Sequence, residues 1–348
     1  MRVTGATRFG PARGFPRREL AQHSFLVMVQ AQHARSNATV AGAKNPFVLG
    51  SKYADFKKVQ AGRPELDRSS PAITTQSPNP AWKYGEGARV GGSPQGLDST
   101  IAPDHLSHLE QTQSHIQIDP NAADRAMIQN YQVLISGIPR PISFVSTIST
   151  DGSKNLSPFS YFQVVDHDPP IFVIGFSARQ SRPKDTRRNL LETRECVISI
   201  VSEHMIEAVN ATSLDLPHGV SEWELSGLTP ASSGTVVPER VQEAIFSIEG
   251  RLLEMKELDY GPRDSSKPHG ALAIIEGTRF WIREDAINEE QTHINLEKLR
   301  PLVSLGGISY GRVRETFELP RPRLEDELRD TDKGLQKYYD MGPEPRRD

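Results

Sequence analysis

Asn155-Leu156-Ser157-Pro158-Phe159-Ser160-Tyr161-Phe162 decides how this chain reads. Aromatics stand among small hydroxyls and an amide, and the proline predicts a stop in any sheet ladder that runs through the segment. Backbone N–H groups released there are free to bond a flat ring rich in heteroatoms. Further along, Pro183-Lys184-Asp185-Thr186 sets a cation and a hydroxyl at the start of an expected helix. Free amides and the helix dipole favour phosphate at such a place. The two segments together predict one ligand that carries both a ring and a phosphate.

Around this pair the chain is lopsided. Residues 1–115 are rich in Pro, Gly, Ser and Gln, with no sustained apolar period, which predicts an irregular, poorly ordered N-terminal extension. Aromatics scattered between Pro46 and Tyr84 suggest an arm lying on the folded part. A folded domain is expected over 119–320, followed by a densely charged tail, 321–348, as solvated helix or coil. Short β-branched runs predict strands at Ile142 to Ile148, Ile171 to Phe176, Cys196 to Val201, Ala244 to Leu253 and Ala271 to Ile282. Asp151-Gly152 reads as a hairpin turn. Helical pattern is confined to Ala123 to Leu134, Thr186 to Thr193 and Glu203 to Ala211. Successive strands with few crossover helices argue for a mainly β, antiparallel barrel over a doubly wound parallel sheet.

Composition narrows the partners. Lys and Arg number 41 against 44 Asp and Glu, a net charge of −3, which leaves no global basic field for nucleic acid. No apolar run approaches the ~18 residues needed to span a bilayer, so no membrane partner is expected. The single cysteine, Cys196, excludes an intramolecular disulfide and fits a reducing, cytoplasmic setting. It sits in an apolar run with no histidine beside it, as a buried structural thiol does. Arg2, Arg8, Arg13, Arg17, Arg18, Arg35 and Lys44 oppose one acid, Glu19, near the N-terminus. That charge pattern offers a mitochondrial presequence as the alternative address.

Three motifs carry no function. Gly307-Ile308-Ser309-Tyr310-Gly311 matches a nucleophile elbow, but the last histidine, His293, precedes the serine, against the order that fold requires. Gly85, Gly87, Gly91 and Gly92 have the wrong spacing for a dinucleotide loop. His105 and His108 lack carboxylate or cysteine support, so no metal is expected.

Taken in order, Pro139 to Thr147, Asp151-Gly152, Asn155 to Phe162, Asp168-Pro169-Pro170, Pro183 to Thr186 and Leu305 to Tyr310 resemble the flavin reductase-like family of FMN-binding split β-barrel proteins. The resemblance covers about residues 125–318. It implies a Greek-key split barrel, a homodimer with flavin near the subunit interface, and NADH or NADPH as a transient co-substrate. It implies an oxidoreductase that passes electrons to free flavin, oxygen or another small-molecule substrate. An FMN-binding module without fast turnover is the alternative. Chemistry like that of pyridoxamine-phosphate oxidase is a third reading; it needs extra basic residues at the active face, and the only cluster is Arg179 to Arg188.

By position, the resemblance implies that Asn155 and Ser157 bond flavin heteroatoms. Phe159, Ser160 and Tyr161 would line the ring edge, and Lys184 and Thr186 would hold the phosphate. Phe159, Tyr161 and Phe162 can equally be core aromatics, and Asp185 suits a helix cap better than an anion contact. Ser146 and Thr147 either reach the ligand or serve only as strand formers. Arg140 either meets phosphate or covers the barrel mouth, and Tyr310 is expected near the ring or the partner chain. Glu249-Gly250-Arg251 and Glu276-Gly277 put charge within expected strands, which suggests an interface, a pocket or a solvent-facing edge.

Overall fold

A computed structural model of the chain describes residues 53, 55–87, 115–178, 183–217, 220–258 and 269–339. The basic N-terminal segment, the glycines at 91 and 92, His105, His108, Arg179 and Arg182 lie outside these residues.

Seven strands form one antiparallel sheet: β1 (Ser143–Ile148), β2 (Lys154–Phe159), β3 (Phe162–His167), β4 (Pro170–Phe176), β5 (Glu195–Ile200), β6 (Phe246–Glu257) and β7 (Ala271–Ile282). Their spatial order is β2-β1-β5-β6-β7-β4-β3. The two outermost strands are therefore consecutive in the chain, joined only by Ser160 and Tyr161. The sheet must curl until its edges approach each other at that corner, where Gly175 N–H donates to the Tyr161 carbonyl at 2.7 Å. Every strand contributes to the interior, from Val145 and Phe159 through Phe162, Phe172, Ile174, Cys196 and Ile248 to Ile275. Ala271 and Ala273 face Phe176 and Ile174 in register, so small side chains make room for large ones. The result is the mainly β, antiparallel split barrel with a few short helices that the strand pattern and the resemblance both lead one to expect.

The expected strands and the Asp151-Gly152 turn are all present. Gly152 takes φ 88° there, and its N–H donates to the Ser149 carbonyl. Pro158 departs from expectation. The ladder does not stop at it: Phe144 pairs with Pro158, and Ser143 with Phe159. Because β2 is an edge strand, the side of Pro158 that lacks an N–H faces away from β1, where no ladder bond is lost. Two residues earlier the equivalent outward N–H, that of Leu156, donates to the Glu222 carboxylate at 3.0 Å.

Short helices pack on both faces of β1 and β2. Helix α1 (Met127–Gly137) begins later than expected and ends before Pro139, as the residue ahead of a proline disfavours helix. Helix α2 (Asp185–Thr193) follows β4, α3 (Ile206–Ala211) follows β5, and α4 (Glu222–Ser226) comes next. Met205, Val209 and Trp223 bury Phe144 and Leu156 in a second core, which is why β1 is buried on both faces.

Of the charges inside expected strands, Glu249 turns out to be structural. Glu249 is fully buried and accepts from Gly234 N–H at 2.6 Å, Thr235 N–H at 2.5 Å, Trp281 Nε1 at 2.5 Å and the Thr235 hydroxyl. It sits at a bulge, where pairing shifts from Glu249–Arg279 to Gly250–Gly277. A side chain at 250 would lie 2.6 Å from Ile275 Cγ2, so glycine is required there.

Within the N-terminal extension, the described residues 55–87 include short regular elements. Phe56–Ala61 is helical, and Ile73–Thr75 pairs in parallel with Glu315–Phe317. Arg314 donates to the Asp67 carbonyl, Arg300 to that of Ser70, and Tyr84 to Glu327 in the charged tail. These contacts use main-chain groups and isolated side chains, so they leave no periodic trace in sequence. In the charged tail, Leu324–Arg329 is a short helix with no buried residue.

Candidate functional site

Strand alternation sorts the candidate residues. Thr147, Asn155, Ser157 and Phe159 share one face of the β1–β2 pair, while Ser146 lies buried on the other, with Phe144 and Leu156. Helix α2 then crosses the first group. Asn155 Nδ2 donates to Thr147 Oγ1 at 3.2 Å and to Thr186 Oγ1 at 2.9 Å. Asn189, one turn along α2, donates to the same Thr147 oxygen at 3.1 Å. Lys184 Nζ reaches Ser157 Oγ at 3.1 Å and stands 4.9 Å from the centre of the Phe159 ring. Phe159 is thus both core, edge-on to Phe176, and floor to the ammonium.

This cluster opens into a pocket whose walls include Asn155, Ser157, Lys184, Asp185, Thr186 and, from beyond α3, Thr212 to Leu216. Lys184 holds the N-cap position of α2, where a side chain that accepts from the helix amides is usual. An ammonium cannot accept. The Asp185 carboxylate is turned to Arg188 at 2.7 Å. A cation, a buried hydroxyl and a helix start therefore converge on one pocket, the donor set that suits an anion.

Other candidates gather elsewhere. Arg140 donates to Ser160 Oγ at 3.2 Å, to Ser304 Oγ at 2.8 Å and to the carbonyls of Ile135 and Ile138, and it lies over the Tyr161 ring at 6.0 Å. It ties the β2–β3 corner to α1 and to the Leu302–Ser304 strand, away from the Lys184 pocket. Tyr161 is 41% exposed, and partial burial raises its hydroxyl pKa above the ordinary 10.0. Tyr310 lies on the Tyr310–Arg312 strand of a separate hairpin, its hydroxyl 3.5 Å from Asn210 Oδ1. The elbow-like serine, Ser309, belongs to that hairpin's turn, with its N–H on the Gly306 carbonyl. Arg187 and Arg188, the described arginines of the basic cluster, pair with Glu257 and with Asp185 and Glu192.

Two residues of the site were missed in sequence. Glu222 is buried beside the pocket, and Asn189 is buried with its Oδ1 lacking a partner among the described residues. Ser221-Glu222 reads locally as a solvated helix start, and only the adjacent Trp223 hinted at burial. Asn189 lies in a run of polar and apolar residues where nothing marks it apart from its helical spacing to Thr186.

Cys196 is fully buried, and burial, followed by the nearby Glu195 charge, pushes its thiol up to about 12. It is expected to resist a thiol reagent at neutral pH until the protein is denatured. Prompt labelling of the native protein would show the barrel interior to be open. Because the unfolded thiol ionises near its ordinary 9.0, stability is complete below that pH and falls as pH rises toward 12.

Residues 135–303 match the family described as flavin reductase like domain. An uncharacterized protein of Aquifex aeolicus is 39% identical over 175 residues, 50% of this chain and 84% of that protein. The crystal structure of nitrilotriacetate monooxygenase component B from Bacillus cereus is 32% identical, with a TM-score of 0.56 over 60% of this chain and 100% of that one. The chain belongs to the flavin reductase-like family. A split-barrel structure from Shewanella frigidimarina, at 20% identity and TM-score 0.50 over 57% of this chain and 95% of that one, shares the fold. Membership of the flavin reductase-like family implies a bound flavin. The cation, hydroxyls and helix start at the Lys184 pocket suit the phosphate of such a group. Among the described residues no helix is long and apolar enough to cross a membrane.

Proposed function

We propose that this protein binds FMN at the β2–α2 pocket and uses it to carry electrons from NADH or NADPH to a small-molecule acceptor. Bound flavin supplies hydride acceptance and its onward transfer. The chain's own residues hold and orient it. In this reading Lys184, Thr186 and Ser157 take the phosphate, Asn155 and Thr147 set the polar wall beside it, and β2 leads from there to Ser160 and Tyr161 at the corner. Those groups lie about 10 Å further along the strand, at ~3.3 Å per residue, which separates a phosphate end from a ring end. Arg140 then acts by fixing the corner, with no contact to phosphate. The observation that carries the proposal is the ammonium of Lys184 at a helix N-cap, anchored on Ser157 and Phe159 and facing a pocket.

Anaerobic mixing of the FMN-loaded protein with NADH or NADPH tests it. Loss of the oxidised flavin's visible absorbance within the mixing experiment is expected with at least one of the two. An unchanged spectrum with both would leave an FMN-binding module without turnover. The pyridoxamine-phosphate reading is disfavoured, because Arg187 and Arg188 are engaged with carboxylates.

The same reading includes a homodimer. Val164 and Val165 stand largely exposed on the edge strand β3, and Leu253 and Phe280 on the long β6–β7 pair. An exposed apolar edge of this kind is covered in stable proteins. Light scattering is expected to give twice the 38.7 kDa chain mass; the mass of one chain at micromolar concentration would contradict the dimer.

A further inference from the structure

Among the described residues two carboxylates are buried, and they differ in what surrounds them. Glu249 has two amides, a hydroxyl and an indole N–H, so its charge is met on every side. Glu222 has the Leu156 N–H at 3.0 Å and its own main-chain amide, and it is only 7% exposed. Burial pushes its pKa above the ordinary 4.5, and the neighbouring Asp185 pushes the same way, against the hydrogen bonds and Lys184. It also lines the pocket into which Lys184 and Thr186 project.

The charges around it set the balance. Lys184 and Asp185 act on it from the head of α2, and Asp215, in the loop after α3, lines the same pocket. Lys154, on β2, is turned instead to Glu239 at 2.7 Å. Glu192 of α2, Glu207 of α3 and Glu224 of α4 are the remaining acids on the packed helices, and Arg187 and Arg188 of α2 are their cations. A phosphate placed against Lys184 would add negative charge to a pocket that already holds more carboxylates than cations. A neutral carboxyl removes one of those charges and can donate its own proton to a phosphate oxygen.

We propose that Glu222 takes up a proton from solvent when the phosphate of the ligand binds, so that occupation of the pocket is linked to pH through this one carboxyl. The proposal rests on the phosphate assignment above. No bond in the ligand changes; the only event is protonation of the carboxylate. The Leu156 N–H is kept by the other carboxyl oxygen in either state, so β2 holds its place throughout.

Calorimetric titration of the full-length protein in two buffers of different protonation enthalpy measures the effect. It is run on the alkaline side of neutrality, where the phosphate is already a dianion. FMN is expected to bind with uptake of up to about one proton, and the FMN affinity to fall by up to about tenfold per pH unit above the Glu222 pKa. Riboflavin, which has no phosphate, is expected to bind with no uptake. Glu222→Gln keeps an acceptor for Leu156 and should abolish the uptake and flatten the pH profile. Equal proton uptake for FMN and riboflavin in the wild type would overturn the proposal, and that comparison stands even if the variant does not fold. Unchanged uptake in a folded Glu222→Gln would overturn it too. Lys184→Ala, titrated alongside, separates the two levels. A lost preference for FMN over riboflavin upholds the phosphate site whatever Glu222 does, while a preference left intact removes both claims.

Discussion

Glu249→Ala is expected to destabilise the protein by on the order of 3–5 kcal/mol, since each buried donor left without an acceptor costs about 1–3 kcal/mol. The substitution strips the Gly234 and Thr235 amides and the Trp281 indole of a shared acceptor inside the fold. It also frees the loop that these bonds hold against β6. Burial alone would raise the Glu249 pKa, but the bonds from Thr235, Gly234 and Trp281 outweigh it and hold the carboxyl below its ordinary 4.5. The sign follows. The folded state favours the ionised form, so this contribution is complete above that pH and is lost as pH falls through the lowered value. Urea denaturation followed by tryptophan fluorescence measures both effects, and the variant should lose part of the wild type's stability drop on acidification. A loss under about 1 kcal/mol, within the common run of point substitutions, would mean that water replaces the carboxylate and the network is not buried as described.

Lys184→Ala and Thr186→Ala are each expected to weaken FMN by about 1–3 kcal/mol, the scale of one charge-assisted hydrogen bond. Lys184 lies at the mouth of the pocket, so its loss should act on the ligand and little on folding. Thr186 is buried and accepts from Asn155, so part of its effect will appear as a modest loss of stability. Riboflavin affinity should scarcely move for Lys184→Ala, because the part of the ligand that the ammonium is proposed to meet is the phosphate. Fluorescence titration with both ligands reads the difference. Equal losses for FMN and riboflavin would move Lys184 from the phosphate to the ring.

The strands were legible because the barrel is built by alternation. Phe172, Ile174 and Phe176 point inward at every second position, as do Ala271, Ala273 and Ile275 on the strand they face. The head of α2 was legible because a proline, a cation and a threonine mark a helix start chemically. Pro158 misled because a proline reports only that its own N–H is missing. It does not say whether a partner strand stood on that side, and β2 is an edge. Glu249 looked like a surface or pocket charge because the residues that enclose it, Gly234, Thr235 and Trp281, are distant in sequence. Glu222 and Asn189 were hidden for the same reason: each is polar at a helical position, and only tertiary packing against β1 and β2 buries it. The arm between Pro46 and Tyr84 showed in sequence only as scattered aromatics, because many of its contacts from Asp67 to Thr75 are backbone to backbone and backbone to arginine.

In the proposed function, this member of the flavin reductase-like family holds FMN by its phosphate at the head of α2. The most direct test is a titration of the purified, flavin-stripped protein with FMN and, separately, with riboflavin, followed by flavin fluorescence. Tighter binding of FMN by at least about 1 kcal/mol, lost in Lys184→Ala, is the result expected. Equal affinity for the two ligands, or a preference that survives Lys184→Ala, would contradict the account.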